Sequence, residues 1–379
     1  MELSSEDALR LNVLMTHALQ AVRIDENNLT LYALTERGEA RVALHPIGRK
    51  EQYLRLVREM LSGHALGSPG GYPLFIQRWT RMGQNSGENI DKLLLLGEEE
   101  AVVSVAYSPR LTDELARRAW WCSKSGDNAR RMLEREAVSG GSMGPVLANY
   151  LVEHLPFETS PHVVIDTIRI VLQPGLLDEQ TLTRLWNRAK SDNTYYVGFL
   201  EVLPDALPVQ GVARAGNTSP ALFLAPLSEA GNRYALQLKR IYSASGQAFL
   251  AACEDVLRRP ADQDVARALF RAMGAYFGSL RQDAGNELGL EAATAAVQQR
   301  LATPDHELAA VIAAVPQCLP ALRALMILAE IGEFSVAPIL VRTTAIGSLM
   351  RRKLEPVSEP VLEQVAVLRM APLEGGQGS

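Results

Sequence analysis

The sequence predicts a mostly α protein: a small N-terminal α/β region (1–109), a helix-pair region (110–208), a linker (209–233) and a C-terminal helical region (234–379). Three observations predict it. The stretch from Leu29 to Leu44 alternates and turns as strands do. From Leu111 onward, short helical runs are separated by Gly, Pro or Asp/Asn, the spacing of antiparallel helix pairs. The Ala/Leu-rich remainder after Gly246 keeps that rhythm to near Leu368.

A chain of 379 residues can bury a substantial core, and 47% hydrophobic with 21% charged residues is the composition of a folded protein, not a disordered one. A net charge of −5 argues against nonspecific nucleic-acid binding, although a local basic patch escapes that average. Cys122, Cys253 and Cys318 are far apart and odd in number, so neither a disulfide scaffold nor a zinc site is indicated. That usage fits a reducing compartment, and a cytoplasmic location is expected. MELSSEDALRLN has no basic region of the kind that opens a secretory signal. Leu308 to Ile331 is the most apolar run, but Pro316, Gln317, Pro320 and Arg323 interrupt it, so it reads as core helices and no membrane insertion is expected.

Taken in order, residues 4–22 place Leu9, Leu11, Val13, Leu14, Ala18, Leu19 and Val22 at helical spacing behind an acidic first turn. Leu29–Leu34 and Ala40–Leu44 flank a turn in which Gly38 supplies a positive φ, a β-hairpin. A helix follows at 50–61, then an irregular segment at 62–73, where four glycines and two prolines oppose any regular element. Residues 74–84 and 89–96 read as helical and Val102–Tyr107 as a strand. Helices are then expected at 111–123, 127–138, 144–154, 161–173, 178–190 and 193–203. LVEHLP (151–156) and FLEVLP (199–204) echo each other faintly, a hint of a HEAT-like array. Gly, Ser, Asn and Pro enrich the linker at 209–233. The last helices fall at 246–259, 262–282, 290–302, 306–314, 319–331, 336–354 and 358–369.

Four constellations carry the functional candidates. Gly140-Gly-Ser-Met-Gly144 matches the nucleophile-elbow pattern, with Ser142 as the nucleophile, but its flanks are helical on both sides and no strand feeds it. A helix–helix turn, with Pro145 in the first turn of the next helix, accounts for the pattern. The loop around His64, Gly70, Gly71 and Tyr72, bordered by Arg55, Arg58, Arg78, Trp79 and Arg81, could cradle an anion, yet it lacks the lysine and Ser/Thr of a P-loop. Cys122 has Arg118 and Lys124 nearby, which favours a thiolate, but it shares a helix face with Leu111, Leu115 and Ala119, which favours a buried, inert thiol. Arg117, Arg118 and Arg131 belong to a basic cluster between Arg110 and Glu136, where Arg131 and Arg130 can each pair with Glu134. Trp120 and Trp121 point about 100° apart on a helix, so one leads the core and the other is an exposed anchor or a clamp. Histidines 17, 45, 64, 154, 162 and 306 lack metal-ligand spacing, and no cofactor is predicted.

LTERGEA (34–40), EQYLRLVREMLSG (51–63), LGSPGGYPLFIQRWTRMGQ (66–84), LTDELARRAWW (111–121), NARRMLEREAV (128–138) and GPVLANYLVEHLPFET (144–159) resemble the DsrS family. Its soluble members, named "sulfur reduction protein", are encoded with the reverse-acting dissimilatory sulfite reductase system of sulfur-oxidising bacteria. The resemblance is strong over residues 1–210 and general beyond them. It implies a cytoplasmic accessory or regulatory protein of sulfur oxidation but shows no partner; other proteins of that machinery are the expected ones. It brings neither catalytic residues nor a cofactor. The expected function is therefore binding rather than catalysis, through the face formed by the 62–83 loop and the Arg/Trp helices. A thiol-dependent enzyme or persulfide carrier using Cys122 is the alternative, and an RNA-binding regulator a further one.

Overall fold

The computed structural model describes residues 3–72, 84–209, 211–213, 220–283, 287–341 and 347–369. It is mostly helical, with one small antiparallel sheet near the N-terminus. The chain divides into two compact units: Met1–Pro156 with Pro174–Leu176, and Phe157–Gln173 with Leu177–Ser379. The division falls at Pro156, one of the helix stops visible in the sequence, whereas residues 109/110 and 208/209 mark changes of element and composition inside a unit.

In the first unit, α1 (Ser5–Met15) is capped by Ser4, whose hydroxyl accepts from the Asp7 amide. The helix stops there rather than at residue 22, because Leu19–Asp25 (β1) pairs with Thr30–Thr35 (β2). Ala18, Leu19 and Val22 fit helical spacing, but the partner strand decides the outcome, a tertiary override of local pattern. The hairpin is as expected: β2 pairs with Gly38–Ala43 (β3), Thr35 stands opposite Gly38, and φ is 115° at Gly38. Leu11 and Leu14 of α1, Leu31 and Ala33 of β2, and Tyr53, Leu54, Val57 and Leu61 of α2 (Lys50–Leu66) form one core cluster with Val22 and Val42.

Helix α2 runs five residues past the expected stop. Gly67 ends it at φ 71°, so the irregular segment starts at Gly67 and not at Ser62. The helix expected at 74–84 lies outside the described residues except for Gln84, which opens a 3-10 helix, Gln84–Leu95. The strand expected at 102–107 is instead helix α3, Glu99–Ala106. Its apolar run is too short for periodicity to decide; the acidic start Glu99-Glu100 suits a helix N-terminus, and Ala101, Val102, Val105 and Ala106 bury one helical face. There follow α4 (Asp113–Cys122), α5 (Gly126–Leu133), α6 (Glu136–Ser139) and α7 (Met143–His154).

The second unit opens with α8 (Pro161–Val171), α9 (Glu179–Ala189) and α10 (Thr194–Val202). Gly198 lets α10 approach α8: a Cβ there would stand 2.3 Å from the Ile168 side chain. The linker expected at 209–233 contains helix α11, Pro220–Glu229. Gly211, Gly216, Asn217 and Ser219 precede that helix and Gly231 and Asn232 follow it, while PALFLAPLSE between them is apolar enough to form a helix despite Pro226. Helix α12 (Arg233–Tyr242) follows, its Asn232 cap accepting from two backbone amides. Then come α13 (Ala244–Arg258), α14 (Gln263–Phe277), α15 (Leu290–Ala302), α16 (His306–Ala314), α17 (Leu319–Glu330), α18 (Glu333–Leu340) and α19 (Gly347–Arg369). The last two correct the expected break near 355–357: α19 runs through Pro356 and Pro360. Met350, Leu354, Val361, Val365 and Leu368 bury one face of it and hold the helix where two backbone donors are missing.

Nine of the last ten residues of α17, Ala321 to Glu330, are buried, so the apolar run seen in the sequence is core. Phe249 stacks on Tyr276 at 3.9 Å beside Phe277. Among the described residues, no single helix is long and apolar enough to cross a membrane.

Candidate functional site

The described residues nominated by the sequence lie in the first unit, and most of their polar groups are satisfied by neighbours within it. Gly71 donates its amide to Ser62 Oγ at 2.8 Å, Ser62 donates to the Ser68 carbonyl at 2.6 Å, and the Tyr72 amide donates to Glu98 at 3.2 Å. Tyr72 also bonds Ser104 through its hydroxyl. The Gly71 amide is thus committed to a side chain of its own unit, and burial raises the Glu98 carboxyl above its ordinary range. Arg55 pairs with Glu59 and Arg58 with Glu26, while His64 and Gly70 are exposed. Arg78, Trp79 and Arg81 lie outside the described residues.

The Arg/Trp cluster is similarly self-paired. Arg117 and Arg118 both hold Glu114, which the Arg117 hydrogen bond brings down to about 2. Arg131 pairs with Glu134 as expected, but Arg130 takes Asp127 instead. Trp120 is buried, edge-on to Tyr150 at 4.7 Å. Trp121 is half-buried over the outer face of the sheet, where its indole donates to Glu39 at 3.0 Å and Arg23 sits over both its ring and that of Tyr32. Such pairs leave little uncompensated positive charge for an RNA backbone.

Ser142 meets a carboxylate rather than a histidine. Its hydroxyl donates to Asp113 Oδ2 at 2.6 Å, and Asp113 also accepts the amides of Ser142 and Met143. Asp113 therefore ties the N-terminus of α7 to that of α4. Burial pushes its carboxyl up, but these hydrogen bonds outweigh that and hold it below the usual value. Cys122 is half-buried, its thiol directed at the Val22 carbonyl at 3.6 Å, and burial pushes it up to about 12. Thiol chemistry needs the opposite shift. Iodoacetamide is accordingly expected to modify Cys122, Cys253 and Cys318 only after unfolding, with mass spectrometry reading the adducts. Labelling of Cys122 in the native protein would show an accessible thiolate.

The arrangement best suited to a ligand was not marked in the sequence and lies in the second unit. A cavity of about 150 Å³ opens between α8, α14 and the start of α18. Helix α8 presents His162, Asp166 and Arg169; α14 presents Asp264, Arg267 and Arg271; α18 presents Glu333. On α8 and α14 the charged positions recur at helical spacing, so each helix turns one polar stripe to the cavity. Behind it stands Glu201 of α10, its side chain only 11% exposed. Glu201 accepts from Arg169 Nε and, at 2.7 Å, from Arg271 Nε. Arg169 spends Nη1 on Asp166 at 2.6 Å, and Arg271 spends Nη1 on Glu333 at 3.2 Å.

Arg267 is different. Among the described residues its guanidinium has no hydrogen bond or ion pair, and its Nε is buried without a partner. Arg23, Arg135 and Arg233 also bury an Nε without a hydrogen-bond partner, but each uses other guanidinium nitrogens on protein partners, whereas the uncommitted Arg267 group lines the cavity. Burial raises the Glu201 carboxyl to about 7; Arg169 opposes this, and the nearby Asp166 and Glu333 add to it. A cavity lined by three guanidinium groups, with a buried carboxyl raised by desolvation behind it, makes this the candidate ligand site. The sequence signal was the stripe of Asp264, Arg267 and Arg271, which looks like any solvated helix face until Glu201 and α8 are placed beside it. Among the described residues no group of His, Cys, Asp or Glu could hold a metal ion. No protein-family model, curated protein or solved structure matches the chain.

Proposed function

We propose that this protein is a non-catalytic accessory or regulatory protein of dissimilatory sulfur oxidation, acting in the cytoplasm by binding a small anionic ligand in the cleft between α8 and α14. The resemblance to the DsrS family supplies the process. The single observation that carries binding is the unpaired Arg267 guanidinium beside Arg169 and Arg271. Planar forks of this kind suit carboxylate, sulfate or phosphate groups. The high pKa of the Cys122 thiol weighs against the persulfide alternative, and the net charge of −5 weighs against RNA.

The test is native purification of the tagged chain from the cytoplasm of a sulfur-oxidising bacterium, with bound small molecules and proteins both identified. An anionic compound recovered with the wild type and lost with Arg267→Gln is the expected result, together with recovery of sulfur-oxidation proteins. Equal recovery of every compound by the two proteins would overturn the cleft as the ligand site.

A further inference from the structure

The cleft's charges can be counted. Arg169, Arg267 and Arg271 face Asp166, Asp264 and Glu333, three cations against three carboxylates, and Glu201 lies behind them. With Glu201 ionised the cluster is net negative before any ligand arrives. Asp166 and Glu333 are 39% and 38% exposed, so water screens them, whereas Glu201 is buried against two of the three guanidinium groups. The charge of Glu201 therefore controls how much positive potential reaches the cavity.

The donors that remain point to the ligand's class. Among the described residues, Arg169 and Arg271 have no hydrogen bond at Nη2, and Arg267 has none at all. A cavity of about 150 Å³ holds a tetrahedral ion and a few waters. Resting on the anion-binding reading above, we propose that the cleft takes a small, doubly charged tetrahedral oxyanion on Arg267 and the uncommitted groups of Arg169 and Arg271, and that Glu201 takes up a proton from solvent as it binds. The ion and the Glu201 carboxylate compete for the same two guanidinium charges, so each weakens the other's hold. By reciprocity, protonation of Glu201 tightens the ion, and the ion raises the proton affinity of Glu201. An ordinary carboxylate would already be fully ionised near neutrality, whereas Glu201 titrates at about 7. His162, 3.3 Å from Asp166, also lines the cavity and must be separated from Glu201.

Sulfate is the probe, because it keeps both charges across the neutral range and any pH dependence then belongs to the protein. Isothermal titration of the full chain is expected to give a Kd about tenfold higher at about pH 8.5 than at about pH 6. Proton uptake should appear as a dependence of the observed enthalpy on the buffer's ionisation enthalpy. Glu201→Gln should bind with one Kd at both pH values, close to the wild-type low-pH value, and take up no proton. His162→Gln should keep the wild-type coupling, and this comparison decides the matter alone if Glu201→Gln fails to fold. Arg267→Gln should weaken binding by about tenfold or more. Glycerol phosphate binding more tightly than sulfate at the higher pH would overturn the free-ion class in favour of an ester of the same headgroup. Absence of sulfate and phosphate-ester binding at both pH values would overturn the anion-binding reading itself. Binding that Arg267→Gln weakens, but that is independent of pH and takes up no proton, would overturn the coupling and leave that reading standing.

Discussion

Replacing Arg300 by methionine is expected to destabilise the second unit by about 3–5 kcal/mol. Arg300 and Glu330 have side chains 12% and 4% exposed and meet at 2.8 Å. Arg300 also donates to the Tyr234 hydroxyl at 2.9 Å and to the Leu280 carbonyl at 3.2 Å, while Glu330 accepts the Gln282 amide at 3.2 Å. Methionine fills much of the same volume but leaves a buried carboxylate with one backbone donor and strips a carbonyl of its partner. Truncating one member of such a pair is far more harmful than replacing both. Arg300→Met with Glu330→Leu should therefore recover part of the loss. The exposed pair Arg258–Glu254 is the control, since removing Arg258, 59% exposed, should change stability by about 0–1 kcal/mol. Hydrogen exchange of the α17 amides reads the effect in this unit itself, which matters because two compact units need not unfold together. A loss under about 1 kcal/mol for Arg300→Met would show that water reaches Glu330 and the pair is not a buried one.

That network was invisible in the sequence for the same reason as the cleft. The helices after residue 110 were legible because each stop is local: Pro156, Pro174-Gly175 and Pro204 act on their own backbone. The hairpin was legible through Gly38. What local rules missed was decided by a partner. Residues 19–25 became a strand because residues 30–35 were there to pair with them, and α19 crosses two prolines because its apolar face is covered. Functional groups follow the same division. Clustered arginines close in sequence, such as Arg117, Arg118 and Arg131, drew attention but turned out to hold acids on their own helices or the turn that follows. Arg169, Glu201 and Arg267 are spread over three helices, and only the fold brings them together. Density along the chain signals local pairing at least as often as a site.

Asp7→Ala is expected to cost the first unit about 2–4 kcal/mol. Asp7 is fully buried near the start of α1, at the Ser4 cap. Its carboxylate accepts the His45 backbone amide at 2.7 Å, His45 Nδ1 at 2.9 Å and the Tyr53 hydroxyl. It thereby ties α1 to α2 and to the chain leaving β3, and alanine would orphan a backbone amide and take from a fully buried phenol its carboxylate acceptor. An ionised carboxylate only accepts, so the proton of the His45 ring sits on Nδ1. Burial alone would raise the Asp7 pKa, but the hydrogen bonds from His45 and Tyr53 outweigh it and hold the group below its ordinary value. The sign follows: a folded pKa below the unfolded one gives stability that is complete above the unfolded value of 3.8 and disappears as pH falls through the lower, folded one. Asp7→Asn keeps the shape and one acceptor but cannot titrate, so its denaturation midpoint should fall less steeply than the wild type's on acidification from about pH 5 to about pH 3. His45 is exposed and can exchange its contact for water, whereas Tyr53 cannot. Tyr53→Phe should therefore recover part of the Asp7→Ala loss by removing the hydroxyl that lost its carboxylate acceptor, whereas His45→Ala in the same background should recover nothing. Parallel acid profiles for Asp7→Asn and the wild type would place the acid sensitivity of this unit elsewhere.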